Sequence, residues 1–169
     1  PVTVVLSEAG WIRCAKGHDV DVENLNYRAS DKYLSHAQGK SNQRVYVLDE
    51  AGRSYALAIN SLPSARGMGE PLSSKLAPAN GISFKQVFIA DDDAELIVAS
   101  NKGYGFKTQA KQLDTSAKAG KAFLSLAEGA SALDLQTVDG ATHLAVLSSA
   151  GRLLVLDLEE LPSLNKGKG

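Results

Sequence analysis

Four glycines, Gly10, Gly52, Gly103 and Gly151, each close the same short motif, at spacings of 42, 51 and 48 residues. The seven residues before them read TVVLSEA, VYVLDEA, LIVASNK and LAVLSSA. Each is a β-branched or aliphatic run, then Ser or Asp, then two turn residues. Ser7, Asp49, Ser100 and Ser148 hold one position, three before the glycine. The pattern predicts a hairpin built on a type I turn, with the glycine in the left-handed conformation that closes it. A period of this length belongs to repeated β-sheet blades. One such unit cannot bury its own apolar face, so neighbours must stack in an arc or a ring.

The repeat continues past the glycine. Trp11-Ile12, Arg53-Ser54-Tyr55, Tyr104-Gly105-Phe106 and Arg152-Leu153-Leu154 begin a second strand, and Val20, Leu62, Leu113 and Leu161 lie ten residues beyond each glycine. Pro63 and Pro162 end that strand, because proline has no N–H for the ladder. A loop of glycine and cations follows in three copies: Arg66-Gly67-Met68-Gly69, Lys118-Ala119-Gly120-Lys121 and Lys166-Gly167-Lys168-Gly169. The first copy has a shorter form, Lys16-Gly17-His18. Further strands are expected at Tyr33 to Ala37, Tyr55 to Ile59, Leu72 to Leu76, Phe84 to Ala90, Phe123 to Leu126 and Leu133 to Val138. No segment carries the period of a long amphipathic helix. The fold class read from the residues is all-β, three or four strands per unit, in one domain over residues 1–169. The abrupt entry into a strand at Val2 and the ending in a loop are expected of a fragment, so the assembly should be incomplete or open.

A chain of 169 residues can bury a substantial core. Its apolar runs are far shorter than the roughly 20 residues needed to cross a bilayer as a helix. The single Cys14 excludes an internal disulfide. With 18 Lys and Arg against 19 Asp and Glu, the net charge is −1. A nucleic-acid role must therefore rest on where the cations cluster.

Arg66, Lys118, Lys121, Lys166 and Lys168 recur in equivalent loops and should line one edge of the assembly, with Lys16 and His18 as weaker members. Glycine beside a cation lets backbone N–H groups approach a phosphate, while the cation attracts it whatever the base sequence. The same composition also serves a plain solvated bend. Arg44, Arg53 and Arg152, at or near strand starts, are expected in cross-strand ion pairs. Trp11, Tyr55, Tyr104 and Phe106 could stack on bases, but their strand positions favour core packing, as do those of Tyr33 and Tyr46. Asp91-Asp92-Asp93 lacks the spaced ligands of a calcium loop and suits a hairpin turn. His18, His36 and His143 have no partner at metal-ligand spacing. Cys14 falls within a strand pattern with no histidine beside it. No nucleotide fingerprint, hydrolytic triad or carboxylate pair stands out.

The runs PVTVVLSEAGWIRCAKGHD, GRSYALAINSLPSARGMGEPL and LPSLNKGKG resemble the C-terminal domain of the A-type subunit of bacterial DNA topoisomerase IV, the ParC family, in the same order across essentially the whole chain. The resemblance implies a β-pinwheel: blades of four antiparallel strands arranged like a propeller, with strands exchanged between neighbours. It implies no catalysis in this domain, since the DNA-cleaving tyrosine lies in another domain, and no cofactor here; ATP and Mg would belong to other parts of an ATP-dependent type II topoisomerase. It implies binding and bending of double-stranded DNA along a basic rim (Lys16, Arg66, Lys118, Lys121, Lys166 and Lys168), presenting the transported duplex for decatenation and supercoil relaxation. The implied partners are the ATPase subunit of the enzyme and the catalytic core of the same chain, in the cytoplasm at the nucleoid. A condensin-type chromosome-organising protein is a further candidate partner, and an interaction module docking such a protein is the alternative reading. The related gyrase A domain carries a Gln-Arg-Arg-Gly-Gly-Lys-Gly box; here only Asn165 to Gly169 and Arg66 to Gly69 approach it. That departure resembles topoisomerase IV.

Overall fold

The computed structural model describes residues 1–169. In chain order the strands are β1 (Val2–Ser7), β2 (Trp11–Lys16), β3 (Tyr33–Gly39), β4 (Arg44–Asp49), β5 (Arg53–Ala58) and β6 (Glu70–Pro71). They continue as β7 (Phe84–Phe88), β8 (Glu95–Ala99), β9 (Gly105–Gln109), β10 (Lys121–Ala122), β11 (Gln136–Thr137), β12 (His143–Leu147) and β13 (Leu153–Asp157). Only short 3-10 turns join them, and there is no α-helix. The fold is all-β, as the repeat predicts.

Four antiparallel sheets follow the four copies. Their strand orders are β3-β1-β2-β6, β10-β5-β4-β7, β11-β8-β9 and β12-β13. The central hairpin of each is the glycine-closed motif. Gly10, Gly52, Gly103 and Gly151 have φ of 83°, 83°, 85° and 79°, and each donates its N–H to the carbonyl of the Ser or Asp three residues earlier. β6 lies in the second repeat but pairs with β2 of the first sheet. β10, in the third repeat, pairs with β5 of the second. Strand exchange between neighbouring blades is thus present, and it ties each sheet to the next.

The core is two layers between the first three sheets. In the first layer Val4, Leu6 and Ile12 meet Val45, Val47, Tyr55 and Val87 across the gap, with Ile59, Leu72 and Leu76 closing it. In the second, Tyr46 and Leu48 meet Leu96, Val98 and Phe106, with Leu113, Phe123 and Leu135. Strand β4 serves both layers: Val45 and Val47 face one way, Tyr46 and Leu48 the other, as the two-residue side-chain period requires. This is why its sequence is a continuous apolar run rather than an alternating one. The last hairpin takes little part, and Leu147 and Leu153 remain 71% and 66% exposed.

Several expected strands are shorter or absent. Leu72 to Leu76 is not a strand: Leu72–Ser74 forms a 3-10 turn whose Leu72 plugs the core. Phe123 to Leu126 makes only an isolated bridge at Leu124; the paired strand is Lys121–Ala122 just before it, while Phe123 and Leu124 turn inward as anchors. Leu133 to Val138 contracts to Gln136–Thr137, and Ile59 leaves its strand for a 3-10 turn. In each case apolar residues that would suit a strand instead fill the end of a layer. Asp91-Asp92-Asp93 is an exposed turn, but it links β7 and β8 of different sheets and closes no hairpin.

Candidate nucleic-acid interface

The glycine and cation loops all run along the second strand of the preceding hairpin. In the first, Cys14 N–H donates to the Pro63 carbonyl (2.9 Å) and Ala65 N–H to the Cys14 carbonyl (3.0 Å). In the third, Lys107 N–H donates to Pro162 (2.8 Å) and Leu164 N–H to Lys107 (2.9 Å). The second loop crosses β5 two residues nearer its turn, where Ser54 Oγ donates to the Leu113 carbonyl at 2.9 Å, and it ends in β10 paired to β5 as β6 is paired to β2. The loops therefore occupy the same edge of three successive sheets: β2, β5 and β9.

On that edge Arg66, Lys118, Lys166 and Lys168 are exposed, and Lys16 is exposed at the end of β2. None of these five joins an ion pair. Lys121 is placed differently. It lies half-buried on β10, and its ammonium donates to the Gln112 carbonyl at 2.7 Å. The Lys168 ammonium stands 4.0 Å above the Tyr104 ring, a cation–π contact that holds it without neutralising it. His18 Nε2 is hydrogen-bonded to the Gly39 carbonyl (3.0 Å).

The loop backbones are fastened from below. Gly120 closes the second loop at φ 80°, and a Cβ there would fall 2.9 Å from the Ser54 carbonyl oxygen. Gly69 and Gly169 approach the carbonyls of Ile12 and Gly105 still more closely. Two guanidinium groups add side-chain ties. Arg53 donates through Nε to the Ala119 carbonyl and through Nη2 to the Gly120 carbonyl, both at 3.0 Å. Arg13, 2% exposed, donates through Nη1 to the carbonyls of Asn26 and Gly67, both at 2.9 Å. The Tyr27 ring lies 4.7 Å from its guanidinium carbon.

Arg13 lies on a strand and so falls outside the basic-loop pattern. Its signal in the sequence is the repeat position: three residues past the turn glycine, the other copies hold Tyr55, Phe106 and Leu154. Arg53 departs from the expected ion pair because backbone carbonyls, not acids, face it. Arg44 does pair, but with Asp114 at the end of a 3-10 segment rather than across a strand (2.9 Å), and both are exposed. Arg152 is exposed without an acidic partner.

Among the aromatics, Tyr46, Tyr55 and Phe106 are core residues. Tyr104 is not: it is 43% exposed, beneath Lys168. Trp11 is half-buried, with the Arg28 guanidinium 4.3 Å from its ring. Both follow a turn glycine directly, and neither belongs to a core layer. Tyr33, also half-buried, bonds through its hydroxyl to His36 Nδ1 (2.7 Å). His143 pairs with Asp157 (2.8 Å) on the last hairpin. Cys14 is half-buried on β2, and burial pushes its thiol above the usual range, away from the reactive thiolate. No three His, Cys, Asp or Glu side chains gather to hold a metal, and no helix is long and apolar enough to cross a membrane. What the edge offers is unpaired cations at intervals on loops hydrogen-bonded to the strands beneath them, which suits a repeating polyanion.

Residues 94–139 and 142–169 match the family described as DNA gyrase C-terminal domain, beta-propeller. The whole chain is 52% identical to a stretch of the A-type subunit of DNA topoisomerase 4 from Haemophilus influenzae and 44% identical to that of Escherichia coli K12, covering 23% of each. The chain thus spans less than a quarter of the length of these curated relatives. The structure of the E. coli ParC C-terminal domain superposes with a TM-score of 0.93 at 44% identity, covering 99% of this chain and 69% of that one. The gyrase A C-terminal domain shares the fold, with a TM-score of 0.77 at 14% identity, covering 99% of this chain and 58% of that one.

Proposed function

The chain belongs to the family of ParC C-terminal domains of topoisomerase IV, and from that premise we propose that it is a non-catalytic domain that binds and bends duplex DNA. The observation that carries this reading is the recurrence of unpaired cations on one edge of three successive sheets, at Arg66, Lys118 and Lys166 with Lys16 and Lys168. A duplex laid along such an edge exchanges condensed counterions for these side chains. With the sheets tied in series by strand exchange in a chain that matches a beta-propeller family, successive loops would follow an arc, and a duplex engaging all of them would curve. Bending over a few helical turns costs on the order of 1–6 kcal/mol, which the added contacts offset.

In the parent enzyme the domain would select and present the transported duplex for decatenation and relaxation, beside the ATPase subunit and the catalytic core of its own chain. ATP and Mg would act there and not in this domain, and the setting would be the cytoplasm at the nucleoid. A second reading, the docking of a condensin-type protein, draws on the near-neutral net charge of −1.

Titration of a labelled duplex by fluorescence anisotropy at several salt concentrations tests the proposal. Affinity should fall steeply with salt and depend little on base sequence. Absence of binding at low salt, or binding indifferent to salt, would sink it. A protein partner on another face would stay bound at saturating duplex, whereas one on the loops would be displaced.

A further inference from the structure

We propose that Arg13 and Arg53 are positioning residues of this interface: guanidinium tethers that hold the first and second basic loops by their backbone carbonyls and so aim Arg66 and Lys118 at a phosphate. The proposal rests on the DNA-binding reading and extends it to residues that need not touch DNA.

Arg13 is the stronger observation. It is buried at a repeat position that Tyr55 and Phe106 fill with core aromatics, yet it faces no carboxylate within ion-pairing distance. Its Nη2 has no hydrogen-bond partner at all. Taking a charge out of water is costly unless it is paired and fully bonded, so an apolar side chain would pack this position at less cost. What the guanidinium does and an aromatic cannot is reach the Gly67 carbonyl, next to Arg66. A second bond to Asn26 and the Tyr27 ring fix its direction.

Arg53 reaches the equivalent loop from a different place. It directly follows its turn glycine, whereas Arg13 lies three past its own. Both end on loop carbonyls beside an exposed cation: Gly67 after Arg66, and Ala119 and Gly120 after Lys118. Two strand positions converging on one kind of loop single out the loop as the shared target. At the third loop the position of Arg53 is taken by Tyr104, and Lys168 of the loop supplies the cation. A planar guanidinium that spans two carbonyls restricts a loop in a way that one ammonium cannot. Less loop ordering is then left to be done on binding.

The experiment is a pair of double-mutant cycles for duplex affinity, with amide hydrogen exchange of the same variants. Arg53→Met keeps the apolar stem and removes the donors. It should speed exchange at Gly120 and Lys121 by about tenfold while leaving β4 and β8 amides unchanged. It should weaken duplex binding about three- to tenfold, and Lys118→Ala should then cost less than in the parent, while Arg66→Ala costs the same. Arg13→Met should couple to Arg66→Ala and not to Lys118→Ala. Arg53→Lys should restore charge but neither loop protection nor the full affinity. Additive cycles, or loop exchange unmoved by Arg53→Met, would overturn the tethers. Should Arg13→Met fail to fold, the Arg53 cycle decides. A parent chain that binds no duplex would defeat the DNA reading instead, and loop exchange would still judge the tethers.

Discussion

The Tyr55 hydroxyl donates to Asp49 Oδ2 at 2.7 Å, with both residues buried in the second hairpin. The other carboxylate oxygen accepts the amides of Ala51 and Arg53 at 2.9 and 3.0 Å. Asp49 thus fastens its own turn, and Tyr55 carries that fastening into the layer between the first two sheets. At the same position Ser7 and Ser148 accept the amide four residues on, from Trp11 and Arg152. A serine has one oxygen for this task, whereas the aspartate has a second that meets a core phenol.

Tyr55→Phe should lower stability by about 1–3 kcal/mol, because it leaves a buried carboxylate oxygen without its donor. Burial raises the Tyr55 pKa first, and the bond to Asp49 and that residue's charge raise it further. A folded pKa above the unfolded one means the contribution is complete below pH about 10 and is lost as pH rises toward the folded value. Thermal melts from pH 8 to 11 should show an alkaline decline that Tyr55→Phe reduces. An unchanged decline would remove Tyr55 as its source.

Gly52→Ala should be far more damaging than Gly103→Ala. Both sites require a positive φ, which costs a residue with a Cβ about 1–2 kcal/mol. A Cβ on Gly103 enters open space, whereas one on Gly52 collides with the Leu124 carbonyl oxygen. There the backbone of the next repeat crosses the turn, with Phe123 and Leu124 N–H both donating to the Gly52 carbonyl (3.1 and 3.2 Å). Denaturant midpoints of the two variants give the comparison, and equal losses would contradict it.

The basic residues should separate into two classes. Arg66→Ala, Lys118→Ala and Lys166→Ala should each reduce the slope of log affinity against log salt by about one, uniformly across duplex sequences. Lys121→Ala should leave that slope unchanged and lower the melting temperature instead, since its ammonium is committed to the Gln112 carbonyl. A salt slope reduced by Lys121→Ala would show that this bond opens when DNA binds.

Asp114→Ala should change stability by less than about 1 kcal/mol, because the Arg44–Asp114 pair is exposed on both sides. Melting temperatures in low and high salt measure this. A larger loss, insensitive to salt, would mean the pair acts through the 3-10 turn that ends there.

The repeat made the hairpins legible without a structure. Each needs only a local apolar run, a Ser or Asp and a glycine, and local sterics dictate that turn. The spacing also placed Arg66, Lys118 and Lys166 on equivalent loops, because nearly equal distances from equivalent turns (14, 15 and 15 residues) lead to the same sheet edge. Sequence alone thus determined the all-β class, the blade period and the recurrence of the basic loops.

The tertiary structure decided what depends on neighbours distant along the chain. Leu72 and Phe123 have strand-like sequences but became core plugs, because the gap between sheets needed filling where the ladder ended. Tyr104 and Phe106, two residues apart in one repeat, went to opposite environments: the first stays exposed beneath Lys168 and the second is buried between sheets. Lys121 and Lys118 look alike in the chain, yet one reaches a carbonyl and the other reaches solvent. Arg13 sits in an ordinary strand sequence, yet it is a buried tether whose target, Gly67, lies in the next repeat. Local sterics and periodicity are written in consecutive residues; burial and hydrogen-bond partners arise only when separate repeats are packed together.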